Sequence, residues 1–365
     1  MPHRALRPRA VTRLATIAAS ALVLASCTLL AEEDEPDTQP TADGSIEGTV
    51  VTLVTHESFS LPKKLVRKFR RDTGATLRIR PIGDAGKLTN TLALNTANPL
   101  GDVAFGVDNT FASRAVDEGV FAEYDAPLPA SAQVLRLDGD GADRLVPVDQ
   151  ASVCVNVDTA WFDERGMTPP ETFEDLADPA YANLFVVPGA STSSPGLAFL
   201  LATVAEYGED GWQEYWGRLV DNGAQLTEGW SDAYYGSFSG GGEGDRPIVV
   251  SYDTSPAFTI DEESGESTTK ALLGTCFRQV EYAGVLENSD NPAGAEAAID
   301  FLLSPEVQAA LPDNMYVFPV DDTVELPEDW AKFAVQPEDP LEVSADDIAA
   351  HRAEWLQEWN DIISR

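Results

Sequence analysis

The sequence is short of the residues that carry metal and hydrolytic chemistry. Its 365 residues include only three cysteines and three histidines, without the paired spacing of a zinc site. The histidines are His3, His56 and His351, and no Gly-Xaa-Ser-Xaa-Gly sequence is present. A hydrolase needs a nucleophile beside an activating base, so this scarcity argues against an exported hydrolase. We therefore expect neither an enzyme nor a bound metal ion or cofactor.

Basic residues are also scarce. The chain has 24 Lys and Arg against 61 Asp and Glu, which gives a formal net charge of -37 at pH 7. Such a surface repels nucleic acid and anionic lipid headgroups and attracts cations. We expect most of this charge to form a solvated, self-repelling surface, and we expect no nucleic-acid partner.

No apolar run after the N-terminal segment is long enough to span a membrane. The N-terminal segment itself has a basic start and an apolar stretch over residues 14–25 that is too short for a spanning helix. It ends in Leu24-Ala25-Ser26-Cys27, which resembles a bacterial lipobox. We interpret residues 1–27 as a lipoprotein signal peptide, with cleavage before Cys27 and lipidation of its thiol. The alternative is an ordinary secretory signal with an incidental cysteine.

The two remaining cysteines are Cys154 and Cys276. In an exported protein an isolated pair of this kind is a disulfide candidate. The alternative is two separate buried thiols, because sequence does not show whether the two Cα atoms approach closely enough to be bridged.

Short strands and helices alternate from residue 50 onward, which indicates an α/β fold with a largely parallel βαβ sheet. The first five predicted elements are a strand over 50–55, a helix over 61–72, a strand over 76–80, a helix over 88–95 and a strand over 102–107. Ligands of such sheets bind at the carboxyl ends of strands, where His56, Glu57, Asp108 and Asn109 fall. Turns and helix caps are the alternative roles for these four residues.

Two long extended segments, 145–157 and 275–285, are suited to carry the chain from one domain to another and back. A chain of this length holds two domains with cores. Residues 28–47 are acidic and interrupted by Pro and Gly, as in a disordered tether. We therefore predict a tether over 28–47, lobe 1 over 48–148 plus 280–365, and lobe 2 over 149–279.

One stretch, residues 226–260, concentrates aromatic residues around turns. Flat aromatic faces beside carboxylates suit a flat, positively charged ligand, although an aromatic hairpin that packs a core is the alternative. Upstream of it, Ser193 and Ser194 stand at the entrance of a predicted helix. They can cap the helix or help it to bind an anion such as phosphate.

Seven motifs along the chain resemble, in this order, those of the thiamine-binding proteins of bacterial ABC transporters. They are Thr55-His56-Glu57-Ser58-Phe59, Gly106-Val107-Asp108-Asn109, Pro147-Val148-Asp149, Ser193-Ser194-Pro195-Gly196-Leu197, Gly229-Trp230-Ser231-Asp232-Ala233-Tyr234, Ser251-Tyr252-Asp253-Thr254-Ser255-Pro256-Ala257-Phe258 and Phe318-Pro319-Val320. The resemblance implies a two-lobed type II periplasmic binding protein fold with hinge strands. It also implies an extracytoplasmic monomer that holds thiamine or its phosphate esters between the lobes and docks on an ABC permease.

The same resemblance assigns roles to individual residues. Trp230, Tyr252 and Tyr316 would give aromatic contacts, Asp108 would be an acidic partner, and His56 stands where the family often has Tyr. Ser193 and Ser194 would face the phosphate or hydroxyethyl end of the ligand. The full set of candidate ligand-binding residues is His56, Glu57, Asp108, Asn109, Ser193, Ser194, Trp230, Tyr234, Tyr252, Phe258 and Tyr316.

A ferric-ion binding protein of the same superfamily is the nearest competing interpretation. The adjacent Tyr234 and Tyr235, together with His56 and Glu57, could supply the oxygen and nitrogen ligands of iron. Against this interpretation, Trp230 and the Ser-Pro-Ala motif have no role in a bare metal site.

Overall fold

The computed structural model describes residues 45–365. The predicted signal peptide, the predicted lipidation site Cys27 and most of the predicted tether lie outside the described residues. Within residues 45–365, no helix is long and apolar enough to cross a membrane.

The described residues form nine strands and twelve α-helices. The strands are β1 (Val50–Thr55), β2 (Thr76–Pro81), β3 (Val103–Asp108), β4 (Val146–Asp158), β5 (Phe185–Pro188), β6 (Gln225–Thr227), β7 (Ile248–Tyr252), β8 (Thr269–Val285) and β9 (Phe318–Pro319). The helices are α1 (Lys63–Thr73), α2 (Ala85–Ala93), α3 (Ala112–Asp117), α4 (Thr159–Arg165), α5 (Phe173–Leu176), α6 (Ser194–Tyr207), α7 (Trp212–Asp221), α8 (Pro292–Leu302), α9 (Pro305–Gln308), α10 (Leu311–Met315), α11 (Glu328–Phe333) and α12 (Ala345–Ile363).

All nine strands belong to one mixed sheet in the order β2-β1-β3-β8-β4-β7-β5-β6, with β9 paired to β4. The predicted parallel pairing holds at both ends, where β1 pairs with β2 and β3, and β5 pairs with β6 and β7. The centre is antiparallel and corrects the expectation of a largely parallel sheet, because β8 runs against both β3 and β4, and β4 against β7.

The two central strands are the long extended segments predicted to link the lobes. With 13 residues in β4 and 17 in β8, they extend about 43 and 56 Å at 3.3 Å per residue. β8 pairs with β3 and β4, and β4 pairs with β8, β7 and β9. A disulfide joins Cys154 of β4 to Cys276 of β8, with 4.1 Å between the Cα atoms. The lobe boundaries stay a prediction, and they fall inside these two strands.

Local sequence explains why the first strands are buried and where the first two helices end and begin. β1 and β3 are rich in valine and almost wholly buried, as expected for parallel strands covered on both faces. Helix α1 ends at Gly74, whose φ of 76° is a left-handed conformation that glycine adopts without strain. Helix α2 begins three residues before the predicted start because the Asp84 side chain accepts a hydrogen bond from the Ala85 N–H.

The terminal helix α12 packs against both halves of the chain. Trp359 is buried and meets Trp216 of α7 edge to face, with 5.6 Å between ring centroids. Seven residues earlier, the Arg352 guanidinium lies 5.6 Å from the centroid of the Phe111 ring, just before α3. The helix that we assigned to lobe 1 thus also contacts a helix of the segment predicted as lobe 2.

Candidate functional site

A cavity of about 330 Å³ opens where the strand ends of the two halves meet. It receives residues from the end of β1, the start of α2, the start of α6, the aromatic stretch, β7, β8 and the end of α10. The residues that line it are His56, Glu57, Ser58, Ser60, Asp84, Ala85, Ser194, Trp230, Ser231, Tyr235, Tyr252, Glu281, Asn314, Met315, Tyr316 and Val317. We call this cavity the cleft.

Six of the eleven predicted residues line the cleft, namely His56, Glu57, Ser194, Trp230, Tyr252 and Tyr316. Tyr234 and Phe258 line a second cavity of about 330 Å³, which shares Trp230, Tyr235 and Tyr316 with the cleft. Asp108, Asn109 and Ser193 line neither of these cavities.

Trp230 is held rigidly at the boundary between the two cavities. Its ring stacks on Tyr234 with 5.1 Å between centroids, and its indole Nε1 donates a hydrogen bond of 2.9 Å to the Ser251 hydroxyl. Tyr252 approaches the same ring at a tilt, at 5.9 Å. Trp230 is only 7% exposed, so the stretch both packs a core and presents an aromatic surface to the cleft.

The aromatic stretch does not form a hairpin. Asp232–Ser237 is a short π-helix, a geometry that is often found at functional sites. It places the consecutive residues Tyr234 and Tyr235 with their rings almost perpendicular, 5.3 Å apart. Tyr235 thereby reaches the cleft, while Tyr234 is buried against Trp230.

Tyr316 enters the cleft from a left-handed backbone conformation, with a φ of 61°. This conformation costs a non-glycine residue about 1–2 kcal/mol. The strain is offset by local contacts, because Thr254 donates a hydrogen bond of 2.5 Å to the Tyr316 carbonyl and the Phe258 ring lies 4.0 Å from the Tyr316 ring. Strained residues of this kind concentrate at sites that clamp ligands.

Asp108 lies behind the cleft wall and not on it. Its side chain is fully buried, and it accepts hydrogen bonds from the Ser194 hydroxyl and, at 2.8 Å, from the Thr110 hydroxyl. Burial raises the pKa of Asp108 to about 6. Its contact with the cleft therefore runs through Ser194, which it orients.

Asn109 and Ser193 have positions that are mainly structural. The Asn109 side chain donates to the Arg278 carbonyl at 3.1 Å and accepts from the Val280 N–H at 2.9 Å, so it ties the end of β3 to β8. Ser193 is the N-cap residue of α6 and is fully buried.

Sequence reasoning missed two carboxyl groups of the cleft. Asp84 accepts hydrogen bonds from the Trp230 N–H at 2.8 Å and the Ala85 N–H at 2.6 Å, and so connects the aromatic stretch to α2. Its position just before a helix was the available signal. Glu281 lies within the otherwise buried strand β8, and a charge inside an apolar strand was a signal of the same kind.

The cleft contains carboxyl groups but no Lys or Arg among the described residues that line it. Burial raises the pKa of Glu57, and nearby Asp84 raises it further. Burial also lowers the pKa of His56 to about 4, so its imidazole is neutral at pH 7, with Nε2 3.4 Å from a Glu281 oxygen. Such a lining favours a cationic ligand over an anionic one.

Two observations argue against the iron interpretation. Burial raises the pKa of the Tyr234 hydroxyl to about 12, which opposes the phenolate form that would bind iron. Over residues 45–365, no group of three or more His, Cys, Asp or Glu side chains is placed to hold a metal ion.

The chain is similar to known binding proteins over most of its length. Residues 98–342 match the family model of the bacterial extracellular solute-binding proteins. The thiamine-binding periplasmic protein of Escherichia coli (strain K12) is 30% identical over 322 residues, which is 87% of this chain and 94% of that protein.

Two further relatives complete the comparison. A solved periplasmic thiamin binding protein superposes with a TM-score of 0.76 at 28% identity, over 87% of this chain and 97% of its own. The iron uptake protein A1 of Synechocystis sp. (strain ATCC 27184 / PCC 6803 / Kazusa) is 25% identical over 343 residues, 87% of each chain. The family match and the fold lead to one conclusion: this chain belongs to the bacterial extracellular solute-binding proteins, which are not enzymes.

Proposed function

We propose that this chain binds thiamine, or one of its phosphate esters, in the cleft and delivers it to an ABC permease. Thiamine has a flat aminopyrimidine ring and a permanently charged thiazolium ring. The observation that carries the proposal is the combination of aromatic faces with carboxyl groups, and with no Lys or Arg, in one cavity of about 330 Å³. The thiamine-binding relatives support the same assignment.

The aromatic residues would recognise the cationic ring. A cation over the face of Trp, Tyr or Phe is stabilised by about 0.5–2 kcal/mol per well-placed ring, and Trp230, Tyr252 and Tyr316 all border the cleft. The nearby carboxyl groups would offset the remaining charge. Nothing in this set has to react with the ligand.

Ser194 would hold the hydroxyethyl end of the ligand or its phosphate. Ser194 lines the cleft at the first residue of α6, and the N-terminus of a helix favours an oxygen ligand. Asp84 lies close to this helix start. Burial raises the pKa of Asp84, and the Ser194 N–H, which donates a hydrogen bond to this carboxyl, offsets part of that increase.

Ligand capture would involve a hinge motion of the two halves about β4 and β8. These strands pair with one another over most of their length, and the disulfide between Cys154 and Cys276 fixes them together on one side. In the proposal the protein acts as a monomer without a nucleic-acid partner. A lipid on Cys27 would keep it beside the permease.

Titration calorimetry of the purified protein with thiamine, thiamine monophosphate and thiamine pyrophosphate tests the proposal. We expect binding of at least one of the three, accompanied by quenching of tryptophan fluorescence. A charge-transfer absorption band with ferric ion and no heat with any thiamine form would instead identify an iron-binding protein. Mass spectrometry of the membrane fraction would test the anchor, since a diacylglycerol adduct on Cys27 is expected there.

A further inference from the structure

We propose that Glu281 is the direct counter-ion of the cationic ligand, and that binding releases a proton held in a row of three carboxyl groups. The row consists of Asp108, Glu281 and Asp149 and is called the carboxyl row below. This inference rests on the proposed function, because it requires a cation in the cleft.

The carboxyl row is built by three neighbouring strands. Glu281 of β8 is paired with Asp108 of β3 on one side and with Asp149 of β4 on the other. Paired residues of antiparallel strands point to the same face of the sheet. Asp108 and Asp149 are fully buried and Glu281 is 5% exposed, so three acidic groups lie side by side in the sheet with little access to water.

Glu281 is the member of the row that reaches the ligand. It lines the cleft, whereas Asp108 and Asp149 do not. Asp108 is engaged by the Ser194 and Thr110 hydroxyls. The Asp149 carboxyl lies beside that of Glu281, but neither of its oxygens makes a hydrogen bond of ordinary geometry to the described residues.

No Lys or Arg side chain pairs with Glu281 or Asp149 within the described part of the chain. The titratable groups that face Glu281 from adjacent elements are His56, Asp84, Asp108, Asp149 and Tyr252. The imidazole among them is neutral because burial lowers its pKa to about 4. Two basic side chains act nearby: Lys87 lowers the pKa of Glu57 on the cleft rim, and the Arg352 guanidinium interacts with Asp108 at the end of the row.

The row therefore holds protons when the cleft contains no cation. Burial raises the pKa of Glu281 well above its usual range, and the adjacent Asp149 raises it further. Burial likewise raises the pKa of Asp149. A thiazolium ring placed beside Glu281 favours its ionised form and lowers this pKa. Binding at neutral pH consequently releases a proton, and affinity rises with pH until the free protein also loses that proton.

Calorimetry in two buffers with different ionisation heats, phosphate and Tris, measures the released protons. For the wild-type protein with thiamine near neutral pH we expect net proton release, which reaches about 0.5 to 0.8 proton at its maximum for one to two units of pKa coupling, and a slope of log affinity against pH of the same size. Glu281→Gln should abolish this release. Its affinity should be about 10- to 100-fold below wild type at about pH 8.5, because one to two units of pKa coupling correspond to that factor.

The wild-type and Glu281→Gln affinities should converge as the pH falls, once Glu281 of the wild-type protein is protonated both in the free and in the ligand-bound state. A loss of affinity that came only from damaged packing would not disappear at low pH. Asp149→Asn removes the like charge beside Glu281 and should shift proton release to lower pH. Glu214→Gln, which removes an exposed charge on α7 outside the cleft, is the matched control and should release protons as wild type does.

The outcomes separate this inference from the proposed function. No thiamine binding by the wild-type protein would overturn both. Thiamine binding without buffer-dependent heat would overturn the inference alone, as would a Glu281→Gln protein that keeps wild-type proton release and affinity at every pH.

Discussion

Replacing Trp230 by leucine removes an aromatic face from the cleft while keeping a smaller, apolar side chain. The ring is buried, stacked on Tyr234, and fixed by the hydrogen bond from its Nε1 to Ser251. Its loss should cost binding the cation–π energy of one well-placed ring, about 0.5–2 kcal/mol. This energy corresponds to a dissociation constant for thiamine about 2- to 30-fold higher.

Trp230→Phe is the matched control, because it keeps a ring but loses the hydrogen bond to Ser251. That bond contributes about 0.5–1.5 kcal/mol to folding, so the variant should melt earlier but lose less affinity than Trp230→Leu. Calorimetry gives the affinities and differential scanning fluorimetry gives the melting temperatures. Equal losses of affinity in the two variants, or none in Trp230→Leu, would refute the role of the ring.

Three further predictions concern the fold and the strained cleft residue. Removing the disulfide with Cys154→Ser and Cys276→Ser frees a closed loop with a sequence separation of 122. Thermal denaturation should show a loss of roughly 5 kcal/mol, or about 7 °C in Tm, and an unchanged Tm would contradict this. Burial raises the pKa of Asp253 to about 7. The stability that the protonated carboxyl contributes is complete below about pH 4 and is lost as pH rises to about 7. The ligand-free protein should therefore melt at a lower temperature at pH 8 than at pH 5. Tyr316→Gly and Tyr316→Ala should weaken thiamine binding alike. The glycine variant should be about 1 kcal/mol more stable in urea unfolding, because glycine adopts the left-handed φ freely. Equal stabilities of the two variants would show that the conformation is not strained.

Local pattern was sufficient for most secondary structure. The strands β1 and β3 were visible as short valine-rich runs, and the two long central strands as extended apolar segments. The error at the start of α2 arose from one side-chain contact, the cap by Asp84. The π-helix at Asp232–Ser237 was not predicted, because no propensity distinguishes it from a turn and its geometry depends on packing around Tyr234.

The candidate site was harder to predict because its key contacts join residues far apart in sequence. The hydrogen bond that places Asp108 behind Ser194 spans 86 positions, so a carboxyl at a strand end was expected in the cleft but lies beneath it. The carboxyl row depends on three strands that are adjacent only in the sheet. The aromatic stretch is visible because its residues are close in sequence, whereas the position of Glu281 between Asp108 and Asp149 depends on the strand order.

The motifs identified the family, and the structure identified the carboxyl groups of the cleft. Motifs pointed to the family, and the fold and the family match confirmed it. The resemblance led us to expect an acidic partner at Asp108. The structure instead places three other carboxyl groups on the cleft surface: Glu57, which belongs to the first motif, and Asp84 and Glu281, which belong to none.

Equilibrium dialysis of the purified protein against labelled thiamine, with and without excess ferric citrate, tests the central claim most directly. The aromatic and acidic cleft predicts that thiamine is retained at one molecule per chain and that ferric citrate does not displace it. Absence of retained thiamine, or its displacement by ferric citrate, would contradict the assignment of the cleft to a flat organic cation.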